Sequence, residues 1–123
     1  MRCKAAPLIL SLISSFWPGA LEAVRDTSAD LVTALLLAPR RRHGGTHESL
    51  QAVEEAIRRG CTAVHPFVDL VDNALVEEAH RAGLSVAAWT VNARRDLSAM
   101  ASIGVDTVIT DDVPLALEVI DRA

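Results

Sequence analysis

Tyrosine is missing from the 123 residues, and two tryptophans with two phenylalanines make up the whole aromatic complement of 3%. Lysine is almost missing too: Lys4 stands alone among twelve basic residues, a bias expected of a GC-rich bacterial genome. Cysteine is scarce. Cys3 and Cys61 fit neither a disulfide framework nor a zinc spacing, so both are expected to be free and reduced, which favours the cytoplasm. Positive charge is not in excess: the net charge is -4, both signs are interspersed, and Arg40, Arg41 and Arg42 form the lone basic run. A stripe able to neutralise phosphates along a nucleic acid is therefore not expected. Apolar runs are short, and no membrane span is predicted. Half of the residues are hydrophobic, which suits one soluble domain or a piece of a larger one.

At the N-terminus, Arg2 and Lys4 followed by the apolar residues 7–13 imitate the charged and apolar regions of a secretory signal. The run is short, and no small-x-small cleavage site comes before Trp17 and Pro18. Pro18 and Gly19 instead lead into a helical pattern, so the run reads as a strand ending at a helix start.

Further along, apolar runs alternate with amphipathic segments. Residues 8–16 form a near-continuous apolar stretch, as expected of a parallel strand buried on both faces, and residues 18–26 follow with Leu21 and Val24 at helical spacing. Val32–Leu37 is the next strand, residues 40–45 a basic glycine-containing loop, and a helix opening at Thr46 or His47 carries Leu50, Val53 and Ile57 before Gly60 stops it. Residues 61–65 form a short strand, residues 70–83 hold a helix, residues 85–91 a strand, Arg94–Ile103 a helix, residues 105–110 a last strand, and residues 115–120 a last helix. Right-handed crossovers would set the five strands in one parallel sheet. An open doubly wound sheet and an arc of a TIM (β/α)8 barrel fit this periodicity equally well. A complete barrel needs roughly 250 residues and is not expected.

Several stretches carry a family likeness: Ser14-Ser15-Phe16, Val64-His65-Pro66, the run from Ala79 through His80 to Leu84, Trp89-Thr90-Val91-Asn92, and Gly104-Val105-Asp106 leading to Ile109-Thr110-Asp111. Together they resemble the glycerophosphodiester phosphodiesterases, hydrolases of phosphoric diesters in lipid metabolism. The strand end at Trp89 to Asn92, followed about twenty residues later by that at Ile109 to Asp111, is the specific part. The resemblance places the five strands as the fourth to eighth of a family barrel. It implies that the chemistry belongs to the first three strands, whose carboxylates bind magnesium or calcium and whose histidines act as acid and base. The chain is accordingly expected to be a C-terminal fragment, a single partial barrel domain over residues 1–123 with no cofactor of its own and no activity alone. A glycerophosphodiester is its expected partner only where the missing half is supplied, and an N-terminal half-barrel partner or self-association is expected to cover the exposed sheet edges.

Arg42-His43-Gly44-Gly45 followed by His47-Glu48 faintly imitates the family's opening histidine-arginine-glycine loop. The following strand, however, offers Val64-His65-Pro66-Phe67 where a glutamate-x-aspartate pair is required, so no family-type metal site and no catalytic residue is assigned. His43 and His47 read as an exposed polar loop, since intervening glycines disfavour a helical zinc-binding face. The three arginines could cradle phosphate, though a solvated basic loop is the simpler reading. His80 reads as a surface or boundary residue. Strand C-termini form the active face of such barrels, which selects Phe16, His65, Trp89, Asn92 and Asp111 as substrate-binding candidates, with Leu37 at the same level. Trp89 either walls the glycerol part of a substrate or fills core. Asn92 is expected to cap the following helix, and Asp111 or Asp112 the last one. Two other functions stay open: a non-catalytic binding or assembly module using the barrel mouth, and an enzyme of altered chemistry using His43, His47 or His65.

Overall fold

The computed structural model describes residues 12–28, 30–38 and 46–121, with side chains from residue 50 onward in the third stretch. Strands and helices alternate: β1 (Leu12–Ser15), α1 (Pro18–Thr27), β2 (Val32–Leu37), α2 (Thr46–Arg58), β3 (Ala63–Pro66), a 3-10 turn (Val68–Leu70), α3 (Asn73–Arg81), β4 (Ser85–Ala88), α4 (Arg94–Ile103), β5 (Thr107–Val108) and α5 (Val113–Asp121). All neighbouring strands are parallel, and their order across the sheet is the order along the chain. A doubly wound sheet reverses its strand order at a switch point. Monotonic order selects the barrel arc over that alternative.

The register shows what each face of the sheet meets. Leu35, Leu37, Val64 and Val86 pack with Leu21 of α1, Val53 and Ala56 of α2, and Leu75, Val76 and Ala79 of α3. Ala88 and Val91 pack with Leu97 and Met100 of α4 and Ala116 and Val119 of α5. Val71, Ile103 and Val105 touch both clusters and join them. Leu21, Leu75, Leu97, Val53, Val64, Val86 and Val91 are fully buried, each stabilising the fold by about 1.5–3 kcal/mol. Side chains alternate along a strand, so Ala34, Leu36, Ala63, His65 and Ala87 line the opposite, inner face, with Leu36 beside His65 in the register. That face is alanine-rich at mid-strand and bulky toward the strand C-termini.

Local signals set the element ends. Pro18 occupies the first turn of α1, where its missing N–H costs nothing. Asp72 caps α3 by accepting from the Leu75 amide at 2.8 Å, and Asp112 caps α5 by accepting from the Leu115 amide at 3.1 Å. Gly60, Gly83 and Gly104 follow α2, α3 and α4 with φ of 71°, 81° and 93°. The strands are shorter than their apolar runs. Of residues 105–110, Thr107–Val108 alone make regular ladder pairs, because β5 has a neighbour on one side only within the described sheet. Single hydrogen bonds still carry the pairing outward, from the Asp106 amide to the Val86 carbonyl at 3.0 Å and from the Val91 amide to the Ile109 carbonyl at 2.8 Å. Residues 8–11 lie outside the described stretches. No described helix is long and apolar enough to cross a membrane.

Candidate functional site at the strand C-termini

Three aromatic rings meet where β1, β3 and β4 end. Trp89 lies edge-on to Phe16, with centroids 5.9 Å apart at 71°, and to Phe67, at 5.2 Å and 65°. Phe67 and Trp89 are bridge partners; the Trp89 amide donates to the Pro66 carbonyl at 3.1 Å, and the Val68 amide to the Trp89 carbonyl at 2.6 Å. The Trp89 indole N–H donates to the His65 carbonyl at 2.7 Å. Its ring is therefore fixed at one edge by a hydrogen bond and on its sides by two phenyl rings. The Trp89–Thr90 peptide is cis. Phe67 escaped the sequence reading, although its place directly after His65-Pro66 in an aromatic-poor chain was the available signal.

His65 is 8% exposed. Burial holds its imidazole below the ordinary value, because a charged ring loses solvation inside the protein. At neutral pH it is an uncharged ring on the inner face, able to give or take one hydrogen bond per nitrogen.

Asn92 joins two loops. Its Oδ1 accepts from the Asp111 amide at 2.9 Å and the Thr110 hydroxyl at 3.1 Å, while its Nδ2 donates to Asp111 Oδ2 at 3.0 Å. Thr110 Oγ1 accepts in turn from the Asp112 amide at 3.1 Å. The expectation that Asn92 caps α4 is corrected: Ala93 holds the cap position, without a side-chain bond. With the helix starting one residue later than a cap at Asn92 requires, the amide side chain turns to the neighbouring loop. Of the two aspartates expected to cap α5, Asp112 does so and Asp111 instead faces Asn92.

The remaining sequence candidates do not join this group. Arg40, Arg41, Arg42 and His43 lie outside the described residues, as does the side chain of His47. His80 is an exposed residue as expected, yet it has a partner: its Nε2 meets Asp106 Oδ2 at 2.8 Å, and the same carboxylate oxygen accepts from the Val86 amide at 2.7 Å. Burial pushes the Asp106 carboxyl up, but the His80 and Val86 hydrogen bonds outweigh it and leave the group below its ordinary value. This pair lies where β4 and β5 begin, at the far end from Trp89. On the outer layer, Arg59 bonds Glu55 within α2 at 2.8 Å and Glu22 on α1 at 2.5 Å. Among the described residues, no three His, Cys, Asp or Glu side chains gather as a metal site.

A parallel βα arc with its ring cluster and polar loops at the strand C-termini defines part of a (β/α)8 barrel and its mouth. Residues 6–115 match the model of the glycerophosphoryl diester phosphodiesterase family, and the chain belongs to that family. A glycerophosphodiester phosphodiesterase of Caldanaerobacter subterraneus subsp. tengcongensis is 37% identical over 57 residues, which is 46% of this chain and 24% of that protein. Among solved structures, a candidate glycerophosphoryl diester phosphodiesterase from Silicibacter pomeroyi superposes with a TM-score of 0.77 at 30% identity, covering 90% of this chain and 38% of that one. A phosphodiesterase from Oleispira antarctica, solved with the product sn-glycerol-3-phosphate, gives a TM-score of 0.73 at 21% identity and covers 89% and 41%. The chain thus spans less than half the length of these relatives.

Proposed function

We propose that this chain supplies the C-terminal βα units of a glycerophosphodiester-hydrolysing barrel, forming the part of the mouth that holds substrate rather than the part that performs the chemistry. The observation that carries this reading is the makeup of the strand ends. Phe16, His65, Trp89, Asn92 and Asp111 lie on three strands and two loops at the face where such barrels bind their ligands, and they offer rings and fixed hydrogen-bonding groups. Hydrolysis of a phosphodiester needs more: a hard cation held by several carboxylates and a proton donor for the departing alkoxide. Among the described residues no three His, Cys, Asp or Glu side chains come together to offer a magnesium or calcium ion such a ligand set. No step is therefore routed through a metal here. The carboxylates and the acid and base groups are assigned to further βα units that complete the barrel.

Leu12 and Ile13 on β1, and Ile109, Val113, Leu117 and Ile120 at the β5 and α5 end, are exposed apolar side chains on the two flanks of the arc. Uncovered sheet edges invite pairing, which supports closure by a complementary half-barrel, with a second copy of the chain as the other occupant. The buried free thiol Cys61 suits a reducing compartment, and the cytoplasm is the proposed location.

The test is hydrolysis of glycerophosphocholine by the purified chain with Mg²⁺, Ca²⁺ or chelator, after sizing to establish folding and oligomeric state. A folded chain is expected to give no turnover alone. Cation-dependent turnover by the chain itself would overturn the division of labour, because the metal ligands would then lie within these 123 residues.

A further inference from the structure

A helix of this arc lies over the strand that follows it as well as the one that precedes it: α1 contacts β1 and β2, α2 contacts β2 and β3, and α3 reaches β4. At the two flanks the same joint is half made. α5 turns Ala116 and Val119 toward Ala88, Val91 and α4. Val113, Leu117 and Ile120, spaced four and three apart, form a second apolar stripe about a quarter turn away, and they are 55%, 55% and 39% exposed. Within the described sheet no strand follows β5 for that stripe to cover. Glu118, beside the stripe, is neutralised by Arg94 at 3.3 Å.

β1 is the converse case. Ile13 and Ser15 stand in register with Thr33 and Leu35, so they point to the outer face, which helices cover elsewhere in the arc. Ile13 is 39% exposed, and no described helix precedes β1. Leu12 on β1 and Ile109 just after β5 are further exposed apolar residues at the same two edges.

A helix lacking its following strand and a strand lacking its preceding helix are the two sides of one joint, and a single chain carries both. All strands run parallel in chain order, so β1 of a second copy continues that order past β5 without reversing it. A joint whose sides differ is heterologous, and it ends only where a rotation closes it. A two-fold axis along the barrel closes it with two copies, making the joint twice and leaving neither chain an open edge.

We infer that two copies of this chain associate head to tail, β5 and the α5 stripe of each against β1 of the other, closing two arcs into one ring. That assembly rests on the barrel-arc reading, and it makes the chain its own partner where no complementary half is present.

Sedimentation equilibrium of the whole chain from about 1 to 100 µM is expected to give twice the chain mass. Leu117→Arg and Ile13→Arg place a charge on opposite sides of the joint, and each is expected to weaken self-association by about a hundredfold or more. Both positions are partly exposed, and circular dichroism melts check that each variant keeps the fold; Val113→Arg and Leu12→Arg replace either one that does not. An equal mixture of the two variants is the decisive sample. In a mixed pair one joint carries both substitutions and the other neither, so dimer is expected to return, held by the intact joint. A chain monomeric throughout the range overturns the proposal, as does mass that keeps growing with concentration, since the joint then fails to close. Disruption by Leu117→Arg alone indicates a symmetric pairing of α5 with itself and equally refutes it, and so does a dimer indifferent to both substitutions. None of these outcomes bears on the absence of turnover by the folded chain, which tests the division of labour separately.

Discussion

Gly60 should be far less tolerant of a methyl group than Gly83, although both end a helix in the same backbone conformation. Their φ values are 71° and 81°, so alanine at either site pays for a left-handed conformation, about 1 kcal/mol. Surroundings separate them. A Cβ at Gly83 meets nothing within 4 Å, whereas at Gly60 it falls 1.3 Å from Arg25 Nη1. That guanidinium donates to the Gly60 carbonyl at 2.7 Å and joins α1 to the turn between α2 and β3. Arginine can swing away, so the cost is the lost charged hydrogen bond rather than the overlap. Such a bond is worth about 1.5–3 kcal/mol when shielded, and about 1–2 kcal/mol at this half-exposed position. Gly60→Ala should therefore destabilise by about 2–3 kcal/mol against about 1 kcal/mol for Gly83→Ala. For a chain of this size each kcal/mol lowers Tm by about 3–6 °C, a difference that thermal melts followed by circular dichroism resolve. In an Arg25→Ala background the methyl at Gly60 should cost only the conformational strain, leaving a coupling of about 1 kcal/mol or more. Equal losses at the two glycines, or a Gly60 loss indifferent to Arg25, would refute the reasoning.

Three further outcomes follow from the polar contacts. Asp106 has a depressed carboxyl in the fold, so its stabilisation is present above the unfolded-state value and is lost as pH falls through the lower folded one. Asp106→Asn should flatten the acid side of a stability-versus-pH curve below about pH 4, by less than about 1 kcal/mol given its exposure; an unchanged curve would reject the His80 to Asp106 pair as the source. Burial lowers the His65 value, so the unfolded chain gains a proton before the folded one, and stability should fall as pH drops below about 6.5. An imidazole titration by NMR checks this, and a midpoint at or above about 6.5 would contradict the buried placement. Asn92→Ala removes three hydrogen bonds and should cost about 1–2 kcal/mol. It should speed amide exchange at Asp111 while leaving the first turn of α4 unchanged, whereas a capping role for Asn92 would produce the reverse pattern.

The architecture was legible because its signals are local and repeat. Apolar runs followed by helical spacing recur along the chain, with a glycine after α2, α3 and α4, and the elements fall within a few residues of their expected positions. Strand order was not legible, since periodicity is the same in a doubly wound sheet and a barrel arc; the family likeness and then the monotonic strand order decided it. Strand ends were overestimated where tertiary pairing sets them. The apolar run at residues 105–110 continues past β5, but a strand with one described neighbour has half the ladder to bond.

At the strand C-termini, pattern reasoning put residues on one rim and missed which of them pair. Phe16, His65, Trp89, Asn92 and Asp111 were selected because each closes a strand, and closing a strand in a parallel arc brings residues distant in sequence to one rim. Which of them touch depends on strand stagger and on the rotamer each side chain takes, and neither is written in spacing. Asn92 shows this sharply. A cap and a loop-to-loop brace use the same amide, and the choice turned on whether α4 begins at residue 93 or 94, below the precision at which a helix start can be read. Trp89 shows it from the other side. Filling core and walling a site looked like alternatives, yet the ring is packed by Phe16 and Phe67 and tied to the His65 carbonyl. Rigid packing of this kind is what a binding wall requires, because a ring already ordered loses less entropy when a ligand arrives.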